Sequence, residues 1–277
     1  MNFIDAHSHI WTPDTERYPL APGFRRALMD PPSFTPEQLF QNAAPVGVNR
    51  VVLIQMSFYG YDNRYLLEAI AKTPERFRGV AVIHQDLDNI AAAMCELKQQ
   101  GVRGFRIYPK DRPVERWLSF ENMRKMWACG AQENLAMCCL MDPDGLPEVE
   151  RMCREFPDTP VVIDHLCRIG VTGDIREADV KALCDAARHK NLSIKVSGFY
   201  ALGQKKPPYL DLIPVIRRLY DAFGPQRLMW ASDSPFQTIN GHSYKASIEL
   251  VQAKLDFLKP ADLEWLLWKT AERVFFH

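Results

Sequence analysis

Phe3-Ile4-Asp5-Ala6-His7-Ser8-His9 reads as a strand that opens the chain. Side chains alternate along a strand, so His7 and His9 share a face, with Asp5 on that face one step deeper. The ~3.3 Å rise per residue puts the two imidazoles about 7 Å apart along the strand, close enough to converge on one ion or one polar group. The stretch also decides between two architectures. An open doubly wound sheet wants a glycine-rich turn after its first strand, and here the strand ends in His-Ser-His instead.

Working outward, a long proline-rich stretch, Trp11 to Pro32, comes next; a loop of this length inside a compact fold is usually functional or disordered. Thr35-Pro36-Glu37-Gln38 has a helix-start pattern, with Thr as N-cap, Pro at the first position and Gln three residues after the cap; the helix runs to about Val46. A regular alternation then sets in. Strands are predicted at Arg50–Met56, Gly79–His84, Gly104–Tyr108, Leu135–Met141, Pro160–His165, Leu192–Ser197 and Arg227–Asp233. Between and after them lie amphipathic segments, the last two being Ser243–Leu258 and a helix from Pro260 to about Phe276. With Phe3–His9 this makes eight strands, apolar on both faces as in a parallel sheet covered by helices. The pattern predicts a single (β/α)8 barrel over residues 1–277, with eight parallel strands and an extra C-terminal helix.

Composition bounds the function. Of 277 residues 47% are hydrophobic and 25% charged, and the formal net charge is zero, so no basic track invites nucleic acid. No apolar run approaches the ~20 residues of a membrane span. Seven cysteines without a C-x-x-C read as reduced and mostly buried, which points to the cytoplasm. The expected partner is a small molecule, the expected state a monomer or small homo-oligomer.

In such a barrel, chemistry gathers at the C-terminal ends of the strands. That rim collects His7 and His9 from the first strand, Gln55 and Ser57 from the second, and Arg106 and Tyr108 from the fourth. It also collects His165 with Arg168 from the sixth, and Asp233 from the eighth. Asp233 is the one carboxylate that joins the three histidines. Asp164, of opposite parity to His165, reads as structural. Asp5 either orients His7 from behind or pairs with Lys195 of the seventh strand. His84 and His242 fall near the rim without strand partners and are secondary. Trp265-Leu266-Leu267-Trp268 reads as helix packing.

These pieces resemble the amidohydrolase-related family of TIM-barrel hydrolases. The matching residues are Ile4–His9, Tyr61-Asp62-Asn63 with Arg76–Val80, Asp164–Arg168, Lys195–Gly198 and Trp230–Pro235, in the family's order along the whole chain. Within it the sequence looks most like the lactonase branch, which includes 2-pyrone-4,6-dicarboxylate lactonase and sugar-acid lactonases. The departures matter. Two-metal relatives carry a carboxylated lysine or Glu on strand four and a histidine on strand five, where this chain has Arg106, Tyr108 and Met141-Asp142. The resemblance therefore implies at most one ion and counts against the zinc decarboxylases.

The expected activity is hydrolysis of a small anionic or polyhydroxylated lactone. Asp233 is the candidate base toward water. His7, His9 and His165 either hold one divalent ion with Asp233, zinc suiting the N and O donors, or donate directly to the carbonyl oxygen. Arg106 and Arg168 would grip a carboxylate, with Ser57 and Tyr108 adding neutral hydrogen bonds, unless Asp86 or Asp142 pairs with the arginines. Strand seven supplies no further arginine for a second carboxylate. The Trp11–Pro32 and Phe199–Pro208 loops are placed to cover the site. Amide hydrolysis, non-oxidative decarboxylation and a non-catalytic metabolite-binding barrel are the alternatives.

Overall fold

The computed structural model describes residues 2–109 and 112–277. Eight strands stand in chain order around one sheet: β1 (Phe3–Ser8), β2 (Val48–Ile54), β3 (Phe77–Ala81), β4 (Val102–Ile107), β5 (Ala136–Cys139), β6 (Val161–Ile163), β7 (Leu192–Val196) and β8 (Leu228–Trp230). Every neighbouring pair is parallel. Just beyond the strand ends, the Asp233 N–H donates to the His7 carbonyl and the His9 N–H to the Ser234 carbonyl, both at 2.8 Å. These bonds join the last strand to the first, so this is the (β/α)8 barrel that the alternation predicts.

Two apolar layers hold it. Ile4, Val52, Val80, Ala136, Val162 and Met229 come from six different strands and pack in one cluster, a grouping possible only in the barrel lumen. Phe275 joins them from the C-terminal helical run Pro260–Phe275. Outside the strands, Leu53, Phe105 and Trp230 pack against helix residues such as Leu66, Trp127 and Ile248. Burial of this apolar area is the main favourable term of the fold. The Thr35 cap forms with its reciprocal Gln38 bond, starting the helix Pro36–Ala43. Leu266 and Leu267 are buried, in keeping with a packing role for their run. No described helix is long and apolar enough to cross a membrane.

Strands end earlier than the sequence pattern suggests. β6 stops at Ile163 and β8 at Trp230, short of His165 and Asp233. The cause is local: both residues take left-handed backbone angles, φ 52° and 60°, which cannot continue a ladder. The rim chemistry therefore sits on the first residues of the loops.

Candidate active site

His7 reaches the lumen through an irregularity. Asp5 of β1 pairs with Val51 of β2, but Ser8 pairs with Leu53, so an extra residue is accommodated between them. Such a bulge reverses the facing of the residues beyond it. Asp5 consequently does not share the face of His7. Its carboxylate accepts from the Ser232 N–H (2.8 Å), the Ser232 hydroxyl (2.5 Å) and the Tyr244 hydroxyl (2.8 Å), away from the lumen. The expected Asp5–Lys195 pair is not formed. Asp5 instead holds the His7 backbone N–H (3.1 Å), fixing the bulge that aims the imidazole. Burial pushes Asp5 up to about 6, against the pull of these donors.

Lys195 finds its counter-charge in Asp164. Their Nζ–Oδ1 distance is 3.0 Å and both side chains are fully buried. Asp164 is thus more than structural filler: it belongs to the floor of the site, 3.5 Å from His7 Nδ1. Burial alone would raise its pKa, but the Lys195 ammonium reverses this and holds it well below the carboxylate range. Lys195 Nζ also lies 3.1 Å from His7 Nδ1. Burial and this ammonium push His7 well below its usual pKa, so its ring is neutral.

The tautomers are set by the partners. His9 Nδ1 faces the Ile54 carbonyl at 3.0 Å, and a carbonyl only accepts, so Nδ1 carries the proton and Nε2 a lone pair. His7 Nε2 lies 3.3 Å from that lone pair. With Lys195 donating to His7 Nδ1, the His7 proton sits on Nε2 and points at His9. One consistent chain results: Lys195 to His7, His7 to His9, His9 to Ile54.

His165 begins an unusual turn. His165, Leu166, Cys167 and Arg168 all have positive φ, 52° to 56°, a left-handed turn made without glycine. Each such residue costs about 1–2 kcal/mol. Complete burial of Leu166 and Cys167 offsets this strain. The turn swings the His165 ring inward, where Nδ1 meets the Ser197 hydroxyl at 2.9 Å. Gly198, at φ +75°, leaves room for it: a Cβ there would stand 3.0 Å from the His165 Cβ. Burial lowers the His165 pKa despite Asp233 and Asp164 nearby, which keeps this ring neutral too.

Asp233 stands among the three imidazoles. Its Oδ1 is 3.5 Å from His7 Nε2 and 3.3 Å from His9 Nε2, and its Oδ2 is 3.5 Å from His165 Nε2. Burial opposes its charge, yet His165 and His7, whose Nε2–H groups lie 3.5 Å from its oxygens, hold it well below the carboxylate range. Oδ2 accepts a 2.8 Å bond from the Tyr200 hydroxyl, while Oδ1 has no hydrogen-bond donor among the described residues. Nothing in the sequence singles out Tyr200. It sits on a short turn, Phe199–Ala201, with no periodic signal, inside a stretch whose sequence reads only as a cover. Burial and Asp233 raise its pKa, so it remains a donor.

Above this floor opens a cavity of about 990 Å³. His9, His165 and Asp233 face it, whereas His7 does not. Ser57, Arg106, Tyr108 and Arg168 all line it, together with Pro19, Pro22 and Phe24 of the Trp11–Pro32 loop. Arg168 lies 3.3 Å from Asp142, both well exposed, an ion pair of the kind foreseen for it. Arg106 has no carboxylate within salt-bridge distance among the described residues, and its buried Nε lacks a partner. His84 stacks on Tyr61 at the rim and His242 bonds Tyr209, both outside the histidine cluster.

A family model described as "Amidohydrolase" matches residues 4–276. The chain belongs to the amidohydrolase family. Among its relatives, L-fucono-1,5-lactonase of Burkholderia ambifaria is 28% identical, over 86% of this chain and 82% of that protein. The 2-pyrone-4,6-dicarboxylate hydrolase of Comamonas testosteroni is 27% identical, over 86% and 78%. An amidohydrolase structure from Burkholderia multivorans with bound zinc superposes with TM-score 0.84 at 22% identity, over 100% of this chain and 99% of that one. At that identity the likeness speaks to fold.

The donor set of this amidohydrolase fits one ion. His7, His9 and Asp233 offer ligand atoms that all lie within 4.8 Å of one another, and His7, Asp164 and His165 form a second such group. Asp233 Oδ1, buried without a hydrogen-bond donor among the described residues, lies 3.3 Å from His9 Nε2, close enough for one cation to be held by both. For His7 to join as a ligand, its proton must move to Nδ1 and Lys195 must withdraw from that nitrogen.

Proposed function

We propose that this amidohydrolase opens a small lactone by attack of water on the ring carbonyl, with Asp233 as the base. The observation that carries the reading is the place of Asp233. Its Oδ2 is held by Tyr200, its Oδ1 is buried without a hydrogen-bond donor among the described residues, and the residue lines a cavity that Arg106 also lines. The relatives named above are lactone hydrolases, which is the same chemistry.

In this mechanism the Asp233 carboxylate takes a proton from water as the water oxygen bonds to the carbonyl carbon. His165, in the tautomer with Ser197 donating to Nδ1, gives its Nε2–H to the developing oxyanion. The carbonyl re-forms, the ring C–O bond breaks, and Asp233 returns the proton to the departing alkoxide. The product is the open hydroxy acid. His7 does not line the cavity; it accepts from Lys195 at Nδ1 and donates from Nε2 to His9 Nε2, which fixes the orientation of the His9 ring. One divalent ion, zinc by its donor preference, would be held by His7, His9 and Asp233 with His165 beside them, and would supply polarisation of the carbonyl and a more acidic water. The seven thiols, five of them buried, suit a reducing cytoplasm.

Arg106 is the proposed anchor for a substrate carboxylate, with Arg168 in a lesser role because Asp142 already accompanies it. Truncating one partner of a buried charge pair costs about 2–5 kcal/mol, so Arg106→Met should lower kcat/KM for an acidic lactone at least thirtyfold, about 2 kcal/mol, and far more than for its neutral ester. Arg168→Met should cost less on the same pair of substrates. Equal losses on acid and ester would assign Arg106 to structure.

Tyr200→Phe removes a hydrogen bond to an ionised group, worth about 1.5–3 kcal/mol. The expected result is a fall in kcat of about tenfold or more, together with a lower thermal midpoint. An unaltered kcat would show that Tyr200 does not set the orientation of Asp233.

A further inference from the structure

The reading as a lactonase leaves open what the rest of the ring carries, and the cavity walls bear on that question. Its inner surface is built largely from Pro22, Phe24, Val82, Leu140, Leu202 and Phe236. Phe24 and Tyr61, both lining the mouth, are among the few large apolar side chains left open to solvent, 37% and 46% exposed. Apolar surface in a cleft gains when a ligand covers it.

The polar side chains point the same way by what they already hold. Gln55 Nε2 donates to the Gly60 and Asp62 carbonyls. The Asp62 carboxylate is gripped by Arg64, and the Tyr59 hydroxyl is engaged with the Thr12 backbone. Tyr200 is engaged with Asp233, and Arg168 with Asp142. That leaves Arg106, with Ser57, Tyr108 and, at the mouth, Tyr61. A sugar-acid lactone brings several hydroxyls, and each one buried without a partner costs affinity of order tenfold. A dicarboxylate needs two cation sites, and Arg106 is the one lining cation with no carboxylate beside it among the described residues.

We propose that the substrate is a lactone bearing a single carboxylate on an aryl or alkyl body, its carboxylate on Arg106 and its apolar part against Phe24 and Phe236. This rests on the lactonase reading and narrows it. Selection comes from the apolar contact and from the one lining cation left without a carboxylate among the described residues.

The test uses the purified full chain and four lactones: phenylparaconate (one carboxylate, one phenyl), paraconate (the same ring without the phenyl), L-fucono-1,5-lactone and 2-pyrone-4,6-dicarboxylate. The expected kcat/KM for phenylparaconate exceeds that for each of the others by about tenfold or more, in line with burial of a phenyl group. Phe24→Ser should lower the phenylparaconate value by a larger factor than the paraconate value. A sugar lactone or dicarboxylate opened as well as phenylparaconate overturns the proposal, as does a phenyl group that brings no gain. If none of the four is opened, the lactonase reading fails by itself. Calorimetric binding of the four intact lactones then decides the inference: phenylparaconate about tenfold tighter than the sugar lactone supports it, equal or reversed order refutes it.

Discussion

Asp233→Asn lowers kcat for lactone opening by about a thousandfold, within the ~10²–10⁴-fold span of a positioned general base. Asparagine preserves the shape of the side chain and an oxygen for the Tyr200 hydroxyl. What it loses is the ability to take a proton from water. Asp233 holds the water and not the ring, so KM should change little while kcat carries the loss. The Nε2–H groups of His7 and His165, 3.5 Å from the carboxylate, help to keep it ionised, and the neutral amide needs no such support. The variant should therefore melt close to the parent. Steady-state kinetics with circular dichroism as a check on folding measures both quantities. A loss smaller than tenfold in a folded variant places the base elsewhere.

Lys195→Met produces the largest expected effect on stability. The Lys195–Asp164 pair is fully buried at 3.0 Å. Removing one partner of such a pair costs about 3–5 kcal/mol, because the other charge stays behind without compensation. Replacing both partners with apolar residues is often close to neutral. Urea denaturation should accordingly show a heavy loss for Lys195→Met and recovery of most of it in Lys195→Met/Asp164→Leu. Activity should not recover with stability. His7 Nδ1 loses the N–H that fixes its tautomer, and the orientation of His9 goes with it. A double variant that regains both stability and turnover would mean that Lys195 serves the barrel alone. A single variant costing under about 1 kcal/mol would mean that the pair is solvated in solution.

The barrel was legible because buried parallel strands are apolar on both faces and need no subtler signal. Runs such as Val51–Ile54 and Val161–Ile163 carry that pattern plainly. The residue set at the rim was legible for a related reason: a histidine or aspartate ending an apolar run at one end of a barrel has few uses besides chemistry. Facing was harder to read. Simple alternation puts Asp5 beside His7 and Asp164 away from His165. A bulge between Asp5 and Ser8 undoes the first inference, and the left-handed turn at His165 undoes the second. Both departures depend on tertiary contacts, Ser232 and Tyr244 around Asp5, and buried Leu166 and Cys167 after His165. Asp164 then takes the Lys195 partnership that Asp5 might have had. Tyr200 is hidden from such a reading because a phenol on an irregular loop has no period to betray it.

Water attacking a lactone carbonyl directly is the central step, and one measurement goes to it. A single turnover of phenylparaconate, with enzyme in excess in ¹⁸O-water, is monitored by mass spectrometry of the product and of the peptide that contains Asp233. Direct attack predicts one heavy oxygen in the newly formed carboxylate, none in the alcohol and none in Asp233. Heavy oxygen in the alcohol or in the Asp233 side chain, or no turnover of any lactone, would contradict it.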